Sequence, residues 1–162
     1  MSGGRSASKR ETARPAPGYS GKPLWQKLGL RPGLRVWLRN APAQYWDWCG
    51  FDRTQVAIAG ASPRNIDFGH VFVTSRAQLA TEISGAARKL DAGGMLWISW
   101  PKKSSGVTSD LDEDTLRELV LPLGLVDIKV CAVSEIWSGL KFCWRRASKD
   151  GVAPARKPGR SA

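Results

Sequence analysis

Apolar positions change their spacing several times along this chain, and each change marks an element. Leu24, Trp25 and Leu28 fall on one helical stripe, with Ser20 placed to cap it and Gly29 to end it. Pro32-Gly33 turns into the apolar run at 34–38, a first strand closed by Asn40-Ala41-Pro42. Residues 45–48 read as a helical turn and 56–59 as a short second strand. The stretch 67–75 contains Val71-Phe72-Val73, apolar at successive positions, which predicts a strand covered on both faces. Leu79, Ile83, Ala86, Ala87 and Leu90 then recur at helical spacing behind the capping box of Ser75 and Gln78. Gly85 inside this helix predicts close packing on a strand, and Gly93-Gly94 predicts the helix end. The apolar run 95–100 is a buried strand stopped by Pro101. It opens into the basic, serine-rich loop Lys102-Lys103-Ser104-Ser105-Gly106. Asp110 and Glu113 predict a second capped helix carrying Leu116, Leu119 and Val120, ended by Pro122 and Gly124. Only a short turn separates the runs 125–133 and 139–144, so they pair as an antiparallel hairpin.

Strands alternating with helices and closing on a hairpin predict a three-layer, Rossmann-like α/β fold with a mostly parallel sheet. The 162 residues suffice for one domain with a real core, expected over residues 18–147. Residues 1–17 and 148–162 are poor in apolar side chains and predict disordered basic tails. Charge sharpens that division. Of the net +11, the first 17 residues carry +3 and residues 145–162 carry +5, leaving +3 for the centre. Basic tails of this kind predict weak, non-specific nucleic-acid contact.

Three cysteines, Cys49, Cys131 and Cys143, form no C-x-x-C pair, and the odd number predicts reduced thiols in a cytoplasmic protein. Residues 1–21 lack the apolar run of a secretory leader, and no stretch nears the ~18 consecutive apolar residues of a membrane span.

The turn-and-strand entry Leu30-Arg-Pro-Gly-Leu-Arg-Val, the later Leu90-Asp-Ala-Gly-Gly-Met-Leu-Trp and the closing hairpin resemble class I S-adenosylmethionine methyltransferases. A sharper set of motifs is Gly-Tyr-Ser-Gly-Lys-Pro-Leu at 18–24, Val-Phe-Val-Thr-Ser-Arg at 71–76 and Trp-Pro-Lys-Lys-Ser-Ser-Gly-Val at 100–107. With it go Pro-Leu-Gly-Leu-Val-Asp-Ile-Lys-Val-Cys-Ala-Val at 122–133 and Trp-Ser-Gly-Leu-Lys-Phe at 137–142. Together these resemble a bacterial family of small stand-alone proteins defined as a domain of unknown function. The resemblance implies a fold similar to a degenerate class I methyltransferase and supplies no chemistry. Two departures matter. The methyltransferases run their first strand into a glycine-rich turn, where this chain has Arg39-Asn40-Ala41-Pro42-Ala43. They also place an acidic residue for the ribose hydroxyls after the second strand, where this chain has Gly60.

No nucleophile elbow, phosphate-binding Walker loop or zinc-protease helix occurs, and no catalytic residue, metal ligand or cofactor is assigned. Asp110-x-Asp112-x-Asp114 fails the calcium-loop grammar, because the sixth and twelfth places hold Thr115 and Leu121. The lone His70 reads as structural at a strand edge. Cys131 and Cys143 read as small hydrophobes that neighbour each other on the hairpin. Of the eight tryptophans, Trp37, Trp97 and Trp144 read as core, and Trp25, Trp46, Trp48, Trp100 and Trp137, near element ends, as hydrophobic caps. Any ligand is expected at the carboxyl ends of the strands. There Asn40, Thr74, Trp100 and Lys102 meet, with Lys103, Ser104 and Lys141 beside them, a make-up suited to a small anionic molecule. The reading is therefore a non-catalytic ligand-binding or interaction module. The alternatives are a methyltransferase with an altered cofactor site and a protein associated with nucleic acid through its tails.

Overall fold

The computed structural model describes residues 21–60 and 63–146. Both tails and Ser20, the predicted first cap, lie outside that range. Helix α1 (Leu24–Leu28) instead starts after Pro23 and ends on left-handed Gly29. Strand β1 (Arg35–Arg39), the one-turn helix α2 (Tyr45–Cys49) and the two-residue strand β2 (Ala57–Ile58) follow. Next come β3 (Ile66–Phe72), α3 (Arg76–Lys89), β4 (Leu90–Pro101), α4 (Glu113–Val120) and the hairpin of β5 (Leu125–Ala132) with β6 (Trp137–Trp144).

The six strands form one sheet in the order β2-β1-β3-β4-β6-β5. β1 lies parallel to β2 and β3, and β3 parallel to β4. β6 runs antiparallel to both β4 and β5. The three-layer, mostly parallel Rossmann-like fold ending in a hairpin is what the alternating pattern predicts. The chain leaves β1 on one side for β2 and returns on the other for β3, so the topological switch lies between β1 and β3.

Side chains alternate across the strands, and each face has its own helices. Leu96, Ile98, Trp100, Leu140 and Phe142 point toward α3 and α4, meeting Leu79, Ile83, Leu116 and Val120. Val36, Phe68, Phe72 and Trp97 point toward α1 and α2, meeting Leu24, Leu28, Tyr45 and Cys49. Val71, Phe72 and Val73 are buried, as expected of a strand covered on both faces.

Three local expectations are corrected. Gly93-Gly94 does not end α3, which stops at Lys89; both glycines lie in β4, beside a register shift between Ile66 and Phe68 of β3. A Cβ at Gly94 would sit 2.6 Å from the Ile66 carbonyl oxygen, so the pair marks close backbone approach rather than a cap. Gly85 packs on no strand; a Cβ there would meet only the ends of Lys89 and Arg88. Asp110 does not cap α4. Asp112 does, accepting from the Thr115 amide at 2.8 Å, while Asp110 accepts from the Arg76 amide at the start of α3, also at 2.8 Å. The α3 cap holds, with the Gln78 amide donating to Ser75 Oγ at 3.1 Å and Gln78 Oε1 reaching back to the Thr74 amide.

Candidate functional site

At the switch point, β1 runs out through Arg39 into Asn40, whose φ of 61° is left-handed. Asparagine tolerates this conformation because its short amide can bond locally. Here Nδ2 donates across the crevice to the Phe72 carbonyl at the end of β3, 3.2 Å away. Arg39 Nε donates to Glu82 of α3 at 3.0 Å, and the two form an ion pair. The turn lacks glycine but reverses as a glycine turn would. Beyond β2 the chain passes through Ala59 and Gly60, and no carboxylate stands there.

The predicted site residues do not converge on this crevice. Asn40 reaches the end of β3, close to Thr74. Thr74 is occupied, its amide donating to Gln78 Oε1 at 2.8 Å. Trp100 is buried in the α3 and α4 layer, on the opposite face of the sheet from Lys141. Its alternation partner Ser99 faces α1 and α2. Lys103 and Ser104 are exposed on a single 3-10 turn, with the Lys103 charge helping to hold the Asp112 carboxyl below its usual range. Backbone bonds from the Thr115 amide dominate that shift. Lys102 is tied to the hairpin turn instead, its amide donating to the Ile136 carbonyl at 2.8 Å. Lys141 lies mid-strand on β6, directly between Trp97 of β4 and Lys129 of β5.

Two features escaped the sequence. The first is a polar chain through the core. His70, fully buried, has Nδ1 2.8 Å from the Tyr45 hydroxyl and Nε2 2.8 Å from Ser99 Oγ. A neutral imidazole donates from one nitrogen and accepts at the other, so both hydroxyls are satisfied. Phe72 stacks on the ring at 4.5 Å. Burial drives the imidazole pKa down to about 3 and pushes the Tyr45 phenol and, to about 12, the Cys49 thiol upward. These groups stay neutral across ordinary pH. His70 is structural, as expected, but in the sheet interior rather than at an edge. The second feature is the set of lysines around Cys131. Lys27, Lys129 and Lys102 all act on its thiol, although burial outweighs them and the pKa rises. Cys131 faces Gly139 and Cys143 faces Met95 and Val126, so the two cysteines are not cross-strand neighbours. All three cysteines are free.

Among the described residues, no group of histidine, cysteine and carboxylate side chains could hold a metal, and no helix is long and apolar enough to cross a membrane.

Against this geometry, no family model matches the chain. No curated protein matches it either. Solved structures do. The chain is similar to magnesium protoporphyrin IX methyltransferase from Synechocystis PCC 6803, solved with bound SAM, at 12% identity and a TM-score of 0.51, covering 75% of this chain and 74% of that one. It is similar to PigF, solved with SAH, at 7% identity and a TM-score of 0.51, covering 69% of this chain and 56% of that one. A TehB-like SAM-dependent methyltransferase from Corynebacterium glutamicum matches at 12% identity, covering 75% of this chain and 85% of that one, with a TM-score of 0.46. At these identities the likeness is one of fold, and that fold is the Rossmann-like fold of class I methyltransferases.

Proposed function

We propose that this protein is a methyltransferase-fold protein with an altered S-adenosylmethionine crevice, taking the cofactor weakly at the switch point between β1 and β3. The observation that carries the reading is the left-handed turn at Asn40. It supplies, without glycine, the chain reversal that a Rossmann-like crevice needs after its first strand. The fit is partial. Asn40 and the Phe72 carbonyl stand where the crevice opens, but Ala59 and Gly60 offer no carboxylate for ribose hydroxyls, and Glu82 is engaged by Arg39.

Hydrogen bonds to a charged group are worth about 1.5–3 kcal/mol, so losing the ribose grip weakens binding by about 10- to 100-fold. Equilibrium dialysis with labelled S-adenosylmethionine, with S-adenosylhomocysteine as competitor, tests this. Asn40→Val should abolish the binding, because a β-branched residue resists the left-handed turn and cannot reach Phe72. Unchanged binding by that variant would move any cofactor site away from this turn.

A second reading is a ligand-binding module that catalyses nothing. It is favoured by the Arg39–Glu82 pair, which ties the last residue of β1 to α3 and leaves that carboxylate engaged. Wild-type protein that retains no S-adenosylmethionine at millimolar concentration would select it.

A further inference from the structure

The carboxylates of this fold are unevenly spent. On the α3 and α4 face, Arg117 pairs with Glu113, Asp114 and Asp127, and Arg76 with Glu118. The opposite face of the hairpin has no such balance. Its strands place residues in rows across the sheet. One row is Trp97 of β4, Lys141 of β6 and Lys129 of β5. The next is Ser99, Gly139 and Cys131, and the last begins with Pro101 and Trp137. Helix α1 closes this surface from one side, because Trp97 Nε1 donates to the Leu28 carbonyl at 2.8 Å. That bond brings Lys27, in the last turn of α1, and Arg31, just beyond it, to the edge of the rows. From the strand-end side comes Lys102, held by its amide bond to Ile136.

Lys129 and Lys141 are direct cross-strand partners, an arrangement that repels. Among the described residues, no carboxylate lies within ion-pair distance of Lys102, Lys129 or Lys141. Lys141 is half-buried, with Lys129 directly opposite it on β5. Its pKa is lowered, first by desolvation and then by Lys129, with a further push from Arg31. A solvated, functionless surface would place a carboxylate or a neutral residue opposite Lys141. This one sets Lys129 opposite a half-buried Lys141 and brings Lys102 and Lys129 to bear on neighbouring Cys131, and among the described residues none of these three lysines has a carboxylate partner.

We infer that the α1 face of the β5–β6 hairpin is an anion site, built by Lys102, Lys129 and Lys141 with Lys27 and Arg31 at its rim, and that it takes a diphosphate-bearing small molecule. Converging lysines call for an anion with more than one charge, and lysine serves phosphate as a compact point charge. Trp137 lies on the same face, its ring edge-on to Phe72 at 5.0 Å, and flanks the cations with a flat apolar wall. The site is distinct from the Asn40 crevice and stands whether or not S-adenosylmethionine binds there.

The test is calorimetric titration of the full chain with inorganic pyrophosphate and with ADP, at low ionic strength in a phosphate-free buffer. Both ligands should bind wild-type protein. Lys129→Gln and Lys141→Gln should each weaken binding by about tenfold or more, because each removes one charge from a converging set. Arg88→Gln, on the exposed face of α3, should change it by less than about twofold. ADP that binds clearly more tightly than pyrophosphate identifies a nucleotide read against Trp137; equal affinities identify the diphosphate alone. Each lysine variant should melt at or above the wild-type temperature, since it removes repulsion rather than a contact. Binding that is absent, or that falls equally in Arg88→Gln, overturns the inference, as does a wild-type affinity in both lysine variants.

Discussion

Lowering the pH from 7 to about 3 will cost this fold about 4–5 kcal/mol at His70 alone. The imidazole titrates near 6.5 when solvated and at about 3 when buried in the native chain. Between those values the unfolded state binds the proton and the folded state does not. Stability is therefore complete above pH 6.5 and falls steadily as the pH drops toward 3, by about 1.4 kcal/mol per unit. Domains of this size are held by only about 5–15 kcal/mol, so the loss is a large share of the whole. Urea unfolding followed by tryptophan fluorescence at pH 7, 5.5 and 4 measures it. The exposed carboxylates of Asp52, Asp112 and Glu118, all held below their ordinary range by hydrogen bonds, add their own losses at the acid end. His70→Gln separates the two. It keeps a donor and an acceptor between Tyr45 and Ser99 but cannot take the proton, so its profile should be nearly flat from pH 6.5 to 5. A wild-type profile equally flat over that interval would refute the assignment of a neutral, buried His70.

Gly94→Ala should destabilise the protein by about 3 kcal/mol, at the upper end of what overpacking costs. The new methyl would sit 2.6 Å from the Ile66 carbonyl oxygen and 2.9 Å from Leu90 Cδ1. The leucine tip can turn away, but the carbonyl belongs to β3, where Ile66 pairs with Leu90, and cannot retreat without opening the ladder. Its neighbour is the control. A Cβ at Gly93 meets nothing within 4 Å, so Gly93→Ala should stay within about 0.5 kcal/mol. Equal costs at the two positions would contradict the close approach of β3 and β4.

Residues 93 and 94 also show why part of the fold was legible and part was not. A glycine pair after a helical stripe signals a helix end, and α3 does end nearby, at Lys89. What local sequence cannot show is that β4 begins at Leu90, before the glycines, and bulges against β3 between Ile66 and Phe68. Periodicity found every main element because each face of the sheet is covered by apolar helices, which leaves a clear imprint on β3, α3 and α4. The site was harder. Asn40 was placed correctly at the strand end because parallel topology fixes where strand ends meet. Trp100 was placed wrongly because one residue of register decides which face a side chain takes. The lysine cluster was invisible for the same reason. The register shift between Asp127 and Lys129 sets Lys129 on the face of Lys141, and composition averages those cations against acids on the other face. Tyr45, His70 and Ser99 come from three separate elements, and nothing in their spacing announces a shared hydrogen-bond chain.

The proposal of an altered methyltransferase crevice is tested most directly by the dissociation constant of S-adenosylmethionine for the full chain, measured by isothermal titration calorimetry. Taking low-micromolar binding as the measure of an intact site, loss of the ribose carboxylate predicts a constant on the order of 100 μM, with Asn40→Val showing no heat of binding. No detectable binding by wild-type protein at millimolar cofactor would contradict the account and leave a fold without its cofactor. A low-micromolar constant would contradict it from the other side, because a crevice lacking the ribose carboxylate could not grip so tightly.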